Sequence, residues 1–438
     1  MQCPFCSLLC DDDGYQQVRC SVRSNALVAL EKIQKNRLLP NSKAIEERIE
    51  LASRMLQAAD HVLITGRITS VQTARAAIRL ATRLNAAIDC AEEGHAFKNI
   101  LPIQRNGVHS VSIGEARDHA DLLIVVGDDS ILSGCPRIPE ALHPGYVQDK
   151  TSKIALLLGE FSEATQQLWR QAGFDTWFIP CKLENIPAAL MQWSAHADQV
   201  EQAPPLRPND VGFRQIARPA ETLGEFRYIK SMPFPISPEE LSAPQPDVMH
   251  RLANARYTAV LWVASSLRFQ EADLWIERLM QWIAGQNETK RCAGLLWSSL
   301  EGSFQQTCTW LTGFPGRIQF RGETPHYDPN LNSYTKWIES VSTHSGTSAI
   351  VLIDETVAQK PFLTIDRGMV PAIEFLEITA TSSSFPCAIA GAEVPADMFR
   401  ADQVVVARVA PYAVGPNWSE VGRLEVSSAA DWLERLCR

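Results

Sequence analysis

The chain is predicted to be an α/β protein built from doubly wound parallel sheets, and three observations predict it. Short, wholly apolar runs such as Val62-Leu63-Ile64 and Leu122-Leu123-Ile124-Val125-Val126 read as strands buried on both faces. Such a run is followed by a segment of helical period, as Val71–Leu84 follows the strand at 61–65. That alternation favours a parallel sheet, because parallel neighbours need a crossover long enough for a helix. The third observation is size: 438 residues with 45% apolar content supply cores for two or three domains.

In chain order, the segment Arg19-Cys20-Ser21-Val22-Arg23-Ser24-Asn25-Ala26 leads into a helix ending near Arg37, and a second helix covers 46–57. The strand at 61–65 ends in Gly66, and the helix Val71–Leu84 carries Ala and Arg on different faces. A strand at 87–89, a short helical turn at 115–119 and a strand at 121–126 follow, the last running into Gly127-Asp128-Asp129. Further βα units read as 153–158 with 163–172 and 258–264 with 271–285; later strands are Ser348–Asp354, 372–378 and 403–409. The stretch 198–242 breaks the rhythm with Pro204, Pro205, Pro208, Pro219, Pro233, Pro235 and Pro238. It reads as a long surface connection or an arm toward a partner, or as a packed excursion that buries Phe226, Tyr228 and Phe234. The expected organisation is a cysteine module at 1–50, a discontinuous α/β domain from 51–150 plus 330–438, and an inserted α/β domain at 151–329.

Four cysteines crowd the first twenty residues. Cys3, Cys6 and Cys10 stand in C-P-F-C-S-L-L-C, and Cys20 follows the acidic stretch Asp11-Asp12-Asp13-Gly14. A C-x2-C-x3-C run lets three thiolates converge on one centre, and a fourth from the return of a hairpin completes the set. Four thiolates suit zinc or an iron–sulfur cluster. Zinc sites usually use two C-x2-C knuckles and this chain has one, so the spacing leans toward [4Fe–4S], with zinc as the alternative. Either metal would tie down a terminus too short to order itself by apolar burial.

Composition excludes several classes. A net charge of −9 argues against nucleic acid, which needs clustered Lys and Arg. No run approaches the roughly eighteen apolar residues of a membrane helix. The N-terminus has no basic region followed by an apolar one. Cys90, Cys135, Cys181, Cys292, Cys308, Cys387 and Cys437 are scattered singly, as reduced thiols are in a cytoplasmic protein. The histidines form no ligand-spaced cluster, and no G-x-G-x-x-G, P-loop, G-x-S-x-G or H-E-x-x-H motif occurs.

The opening C-P-F-C-S-L-L-C-D-D resembles the molybdopterin-oxidoreductase family, specifically the B subunit of formylmethanofuran dehydrogenase. Further blocks extend the resemblance: Asp118-His119-Ala120-Asp121 before a strand, then Gly127-Asp128-Asp129 and Pro136-Arg137. The stretch 302–316, G-S-F-Q-Q-T-C-T-W-L-T-G-F-P-G, is similar to the family's T-W-x-T-G-Y-P, and Phe320-Arg321-Gly322, Pro325-His326-Tyr327-Asp328-Pro329 and Ala401-Asp402-Gln403-Val404-Val405-Val406 continue the match. The blocks run from residue 3 to about 410 in the family's order. The resemblance implies a molybdopterin-oxidoreductase-like fold, here without the C-terminal β-barrel domain of larger members.

Departures from the pattern redirect the functional expectation. The family's molybdenum or tungsten ligand is a cysteine or selenocysteine; here His95 stands at that position, with Cys90 five residues earlier. Where the family carries Arg-Gly-His, this chain reads Leu295-Leu296-Trp297-Ser298-Ser299-Leu300-Glu301. An imidazole is a poor replacement for a thiolate on an oxidised metal, and the second stretch offers nothing basic. The resemblance therefore implies a B-like scaffold subunit of a formyltransferase/hydrolase complex in tetrahydromethanopterin-linked oxidation of formaldehyde to formate. Its partners are then the A, C and formyltransferase subunits, with no nucleic acid and no membrane. No catalytic or pterin-binding residue is expected, a Mo/W pterin is not expected, and the metal-ligand set is Cys3, Cys6, Cys10 and Cys20. The alternatives are an active dehydrogenase of the same family using Cys90 as metal ligand, and an iron–sulfur electron-transfer protein.

Overall fold

The structure, a computed structural model, describes residues 2–10, 20–37, 42–90, 95–143, 153–197, 246–297, 302–341, 346–357, 373–379, 382, 385–390, 392–403, 406–409 and 427–438. The acidic stretch after Cys10 and the proline-rich stretch 198–242 lie outside the described residues. So do 91–94, just ahead of His95, and 298–301.

Helices α1 (Ser21–Asn36) and α2 (Ser42–Ala58) precede β1 (His61–Arg67), α3 (Val71–Leu84), β2 (Ala87–Cys90) and α4 (His95–Asn106). The ends of α3 follow from local chemistry. Ser70 caps it by accepting from the Thr73 amide, and Asn85 ends it in the left-handed conformation at φ 52°. Between them Ala74, Ala77, Ile78 and Ala81 form the buried stripe that packs on the sheet.

The chain then builds α5 (Ile113–His119), β3 (Leu122–Asp128), α6 (Ile138–Leu142), β4 (Ile154–Glu160), α7 (Glu163–Gln171) and β5 (Asp175–Pro180). It continues through α8 (Ile186–Ala197), α9 (Pro246–Asn254), β6 (Tyr257–Val263), α10 (Ala272–Gln286) and β7 (Arg291–Trp297). These strands form a five-stranded, wholly parallel sheet in the order β5-β4-β3-β6-β7. Apolar side chains cover both of its faces, which is why its strands read as unbroken apolar runs.

Next come α11 (Gly302–Thr312), β8 (Ile318–Arg321), β9 (Thr324–Tyr327), α12 (Tyr334–Val341), β10 (Ser348–Asp354), β11 (Ile373–Thr379) and β12 (Phe385–Pro386). They complete a seven-stranded sheet with β1 and β2, ordered β12-β11-β10-β1-β2-β8-β9. The late strand β10 lies parallel beside β1, with Ile64 opposite Val351 and Gly66 opposite Ile353. Finally β13 (Ala396–Phe399) and β14 (Val406–Val409) form an antiparallel pair, and α13 (Ala429–Leu436) packs Trp432 and Leu433 into the core of the larger sheet.

Both sheets are built on parallel strands with helices between them, as expected, but their division differs from the expected boundaries. The strand at 122–128, expected with the first domain, belongs to the five-stranded sheet, and β8 and β9, expected in the insertion, extend the seven-stranded one as antiparallel strands. Local period carries no record of a distant pairing partner. The strand expected at 403–409 joins neither large sheet; within β14 burial alternates, as in a strand with one face outward.

Helix α4 couples the two layers, and nothing in its pattern had marked it as a helix. Asn99 accepts a 2.9 Å hydrogen bond from the fully buried Trp262 indole of β6, and Arg105 pairs with Asp273 and Glu277 of α10. Among the described residues no helix is long and apolar enough to cross a membrane.

Candidate functional site

In each sheet the strand order reverses once, between β1 and β10 in the larger and between β3 and β6 in the smaller. Crevices beyond the carboxyl ends of the strands at such reversals are where open α/β sheets take ligands. Here both reversals open on one cavity of about 1000 Å³. The larger sheet lines it with Arg67, Thr69, Glu355 and Thr356; the smaller with Ser130, Ser133, Val263 and Ser265. Cys6, Ser7, Asn25 and Ala26 of the N-terminal segment close one side, and Trp297 and Gln305 contribute to another.

Glu355, one residue past β10, is 2% exposed. Its carboxylate accepts from the Thr69 amide at 2.9 Å, the Ser70 amide at 3.1 Å, the Ser70 hydroxyl at 3.0 Å and the Thr73 hydroxyl at 2.5 Å. Burial pushes its pKa up, and these four donors, led by Thr73, pull it down. Beside it Arg67 pairs with Asp354 across β1 and β10. Arg67 is the one cation among the described residues lining the cavity.

The four predicted metal ligands are gathered around one small void of about 10 Å³, together with Phe5, Leu8, Val22, Pro136 and Arg137. The turn that brings them there has the Cys3 amide donating to the Cys10 carbonyl at 3.0 Å, and Leu9 at φ 47°. Around the void the thiols pair off. Cys3 donates to Cys10, whose pKa is lowered by that hydrogen bond and by the Arg137 charge. Cys6 donates to Cys135, lowered in turn by that bond and by donors on Ser7 and Trp297. Desolvation and their donor role raise Cys3 and Cys6. Cys135 thus stands as a fifth cysteine at the site, where the sequence showed only a scattered thiol; its place just before Pro136-Arg137 was the available signal. Among the described residues no group of three His, Cys, Asp or Glu side chains is spaced to hold a metal ion.

Cys90, the alternative metal ligand, ends β2 inside the hydrophobic core of the larger sheet and does not line the cavity. His95 is the first residue of α4. Next to Cys90, Asp89 is 1% exposed, accepts from the Tyr334 amide at 2.9 Å and faces Arg317, which lies over the Phe97 ring of α4. Burial pushes the Asp89 carboxyl up to about 6 against the opposing Arg317 charge. Between its unfolded pKa and about 6 the folded state holds more protons than the unfolded one, so stability falls as pH rises through that window. Replacing Asp89→Asn removes this dependence. The variant should gain about 2 kcal/mol relative to wild type between pH 4 and 7 in urea unfolding. Parallel stability curves for the two proteins would contradict the assignment.

No family model matches the chain. Fold and site define an α/β protein of two large sheets whose strand-order reversals share one cavity, with a cysteine-rich segment against its wall. Among curated proteins, the B subunit of tungsten-containing formylmethanofuran dehydrogenase 2 from Methanocaldococcus jannaschii is 21% identical, over 92% of this chain and 91% of that one. Among solved structures, a chain of the formyltransferase/hydrolase complex FhcABCD from Methylorubrum extorquens, solved with methylofuran, matches with a TM-score of 0.64 at 16% identity, covering 90% of this chain and 95% of that one. The resemblance to a formylmethanofuran dehydrogenase B subunit read from the motifs therefore holds across nearly the whole chain.

Proposed function

We propose that this chain is the B-type component of a formyltransferase/hydrolase complex in one-carbon oxidation, serving as a scaffold whose pterin-type site no longer performs redox chemistry. The observation that carries the reading is the lining of the cavity. A redox site needs a free metal-ligating side chain there and cations to hold an anionic cofactor. Among the described residues of the lining Arg67, the sole cation, is committed to Asp354, the two cysteines present, Cys6 and Cys135, are hydrogen-bonded to each other, and Cys90 lies in the core. The end-to-end similarity to a dehydrogenase B subunit supplies the context. In this reading the A, C and formyltransferase subunits are the partners, and one of them covers the cavity mouth.

The cysteines belong to the same proposal. Cys3, Cys6, Cys10 and Cys20 converge on one void, and their donor set fits a thiolate-bound metal once Cys6 turns from Cys135 and the void widens. The reading places a [4Fe–4S] cluster there, with zinc as the alternative; either would crosslink the N-terminal segment to α1.

Affinity purification of the tagged chain from its native cell under anaerobic conditions, with mass spectrometry and metal analysis, tests both parts. The expected result is co-purification of the formyltransferase and hydrolase subunits without molybdenum or tungsten, and with iron and sulfide at about four per chain, or zinc. Stoichiometric molybdenum or tungsten, with dehydrogenase activity abolished by Cys90→Ala, would overturn the scaffold reading. Four freely alkylated thiols and no metal would discard the cluster.

A further inference from the structure

The cavity is not equipped alike at its two ends. At the larger sheet's reversal, β1 runs through a three-residue turn into α3, a helix of 14 residues whose preceding turn lines the cavity at Thr69. That turn is where doubly wound proteins seat a ligand's phosphate, because unpaired amides and the helix dipole favour negative charge there. In this chain the position is filled from within. The Glu355 side chain brings one negative charge and two oxygens to it, and the Thr69 and Ser70 amides with the Ser70 and Thr73 hydroxyls all converge on them. The carboxylate arrives from the neighbouring strand across the reversal, so its seat and the ligand's seat coincide. It is held at the wall of a cavity with ample room for a bound molecule.

The second reversal offers no replacement. After β3 the chain makes a four-residue 3-10 turn in place of a long helix, and Asp128 accepts from the Ser130 amide. Among the described residues, the remaining charged lining adds no attraction for an anion: Asp402 is acidic, and Arg67 is paired with Asp354. A pterin dinucleotide would have to bury its pyrophosphate against these groups, and a buried charge without a partner is strongly disfavoured.

We propose that the Glu355 carboxylate is a built-in substitute for a ligand phosphate, so that this cavity takes an uncharged or cationic ligand and does not seat a pterin dinucleotide through its pyrophosphate. This deepens the reading of the cavity given above, but its test is separate: pyrophosphate binding can fail or succeed whatever co-purification and metal analysis return.

Inorganic pyrophosphate is the probe, titrated into the full-length protein by calorimetry and by thermal unfolding, against sodium chloride of equal ionic strength. Wild type is expected to bind it no more tightly than a surface anion does. Glu355→Ala vacates the seat and should bind pyrophosphate at least tenfold more tightly than wild type, a gain of about 1.4 kcal/mol, with a rise in Tm that chloride does not reproduce. Glu355→Gln fills the seat without the charge; it should unfold at lower temperature and still exclude the anion. If Glu355→Ala folds only when pyrophosphate is present, the rescue supports the proposal directly. Wild type binding pyrophosphate as tightly as Glu355→Ala would overturn it, as would a folded Glu355→Ala with no gain. Should the alanine variant fail to fold under every condition, wild type and Glu355→Gln still decide: pyrophosphate binding by either one, stronger than chloride controls, overturns the proposal, and exclusion by both supports it.

Discussion

Replacing Gly66 with alanine is expected to cost about 4 kcal/mol or more, a large part of the about 5–15 kcal/mol that holds a typical domain folded. Gly66 sits at φ 147°, which an L side chain rarely adopts. An added Cβ would lie 1.9 Å from the Ile353 carbonyl oxygen and 2.8 Å from the Ile353 amide nitrogen. Both are backbone atoms of the strand paired to β1, so no side chain can rotate away. Moving Ile353 also moves Asp354 and Glu355, and with them the partners of Arg67 and of the α3 N-terminus. Gly107→Ala is the control: φ is 69° there as well, but the space around the added atom is open, and a loss of about 1 kcal/mol is expected. Chemical denaturation of the two variants measures the difference. Equal losses would mean that the close approach of β1 and β10 is not what Gly66 serves.

The second large effect is expected at Arg37. Its guanidinium forms two parallel hydrogen bonds to Glu393, at 2.9 and 2.8 Å, with the two side chains 5% and 9% exposed. Glu393 also accepts from the Gln34 amide group at 3.0 Å and from the Ile389 backbone at 2.9 Å. Removing the cation leaves that carboxylate buried without its counter-charge, which typically costs about 3–5 kcal/mol. Arg37→Leu should show a loss of that size, and the double variant Arg37→Leu/Glu393→Leu should recover much of it. A local signature accompanies the loss. Cys3, Phe5, Ala26 and Leu30 pack against Ile389 and Ala392, so weakening this clasp should speed native-state alkylation of Cys3. If the single and double variants are equally stable, the pair is not acting as a buried ion pair.

Much of the secondary structure was legible because it is written in short-range periodicity. The helix Val71–Leu84 and the strand Ser348–Asp354 appear with the boundaries read from the sequence, and β1, β3, β4, β6 and β11 lie within about two residues of theirs. Helix α4 is not announced by the sequence: it holds Pro102, and it begins at His95, which aligns with the family's metal-ligand position. The strand expected at 403–409 pairs antiparallel and not in a parallel sheet, because a short apolar run looks alike in parallel and antiparallel company.

The site divides along the same line. The sequence by itself determined the parallel α/β class, the four clustered thiols and the resemblance to a dehydrogenase B subunit, since each rests on local pattern or on the order of blocks along the chain. Only the tertiary structure decided that Cys135 meets Cys6 from 129 positions away, that β3 leaves the first sheet for the second, and that Glu355 reaches a helix start 285 residues earlier. These are contacts of high sequence separation. They form when sheets close and helices dock, and no property of the residues near Cys135 or Glu355 announces which distant group will meet them.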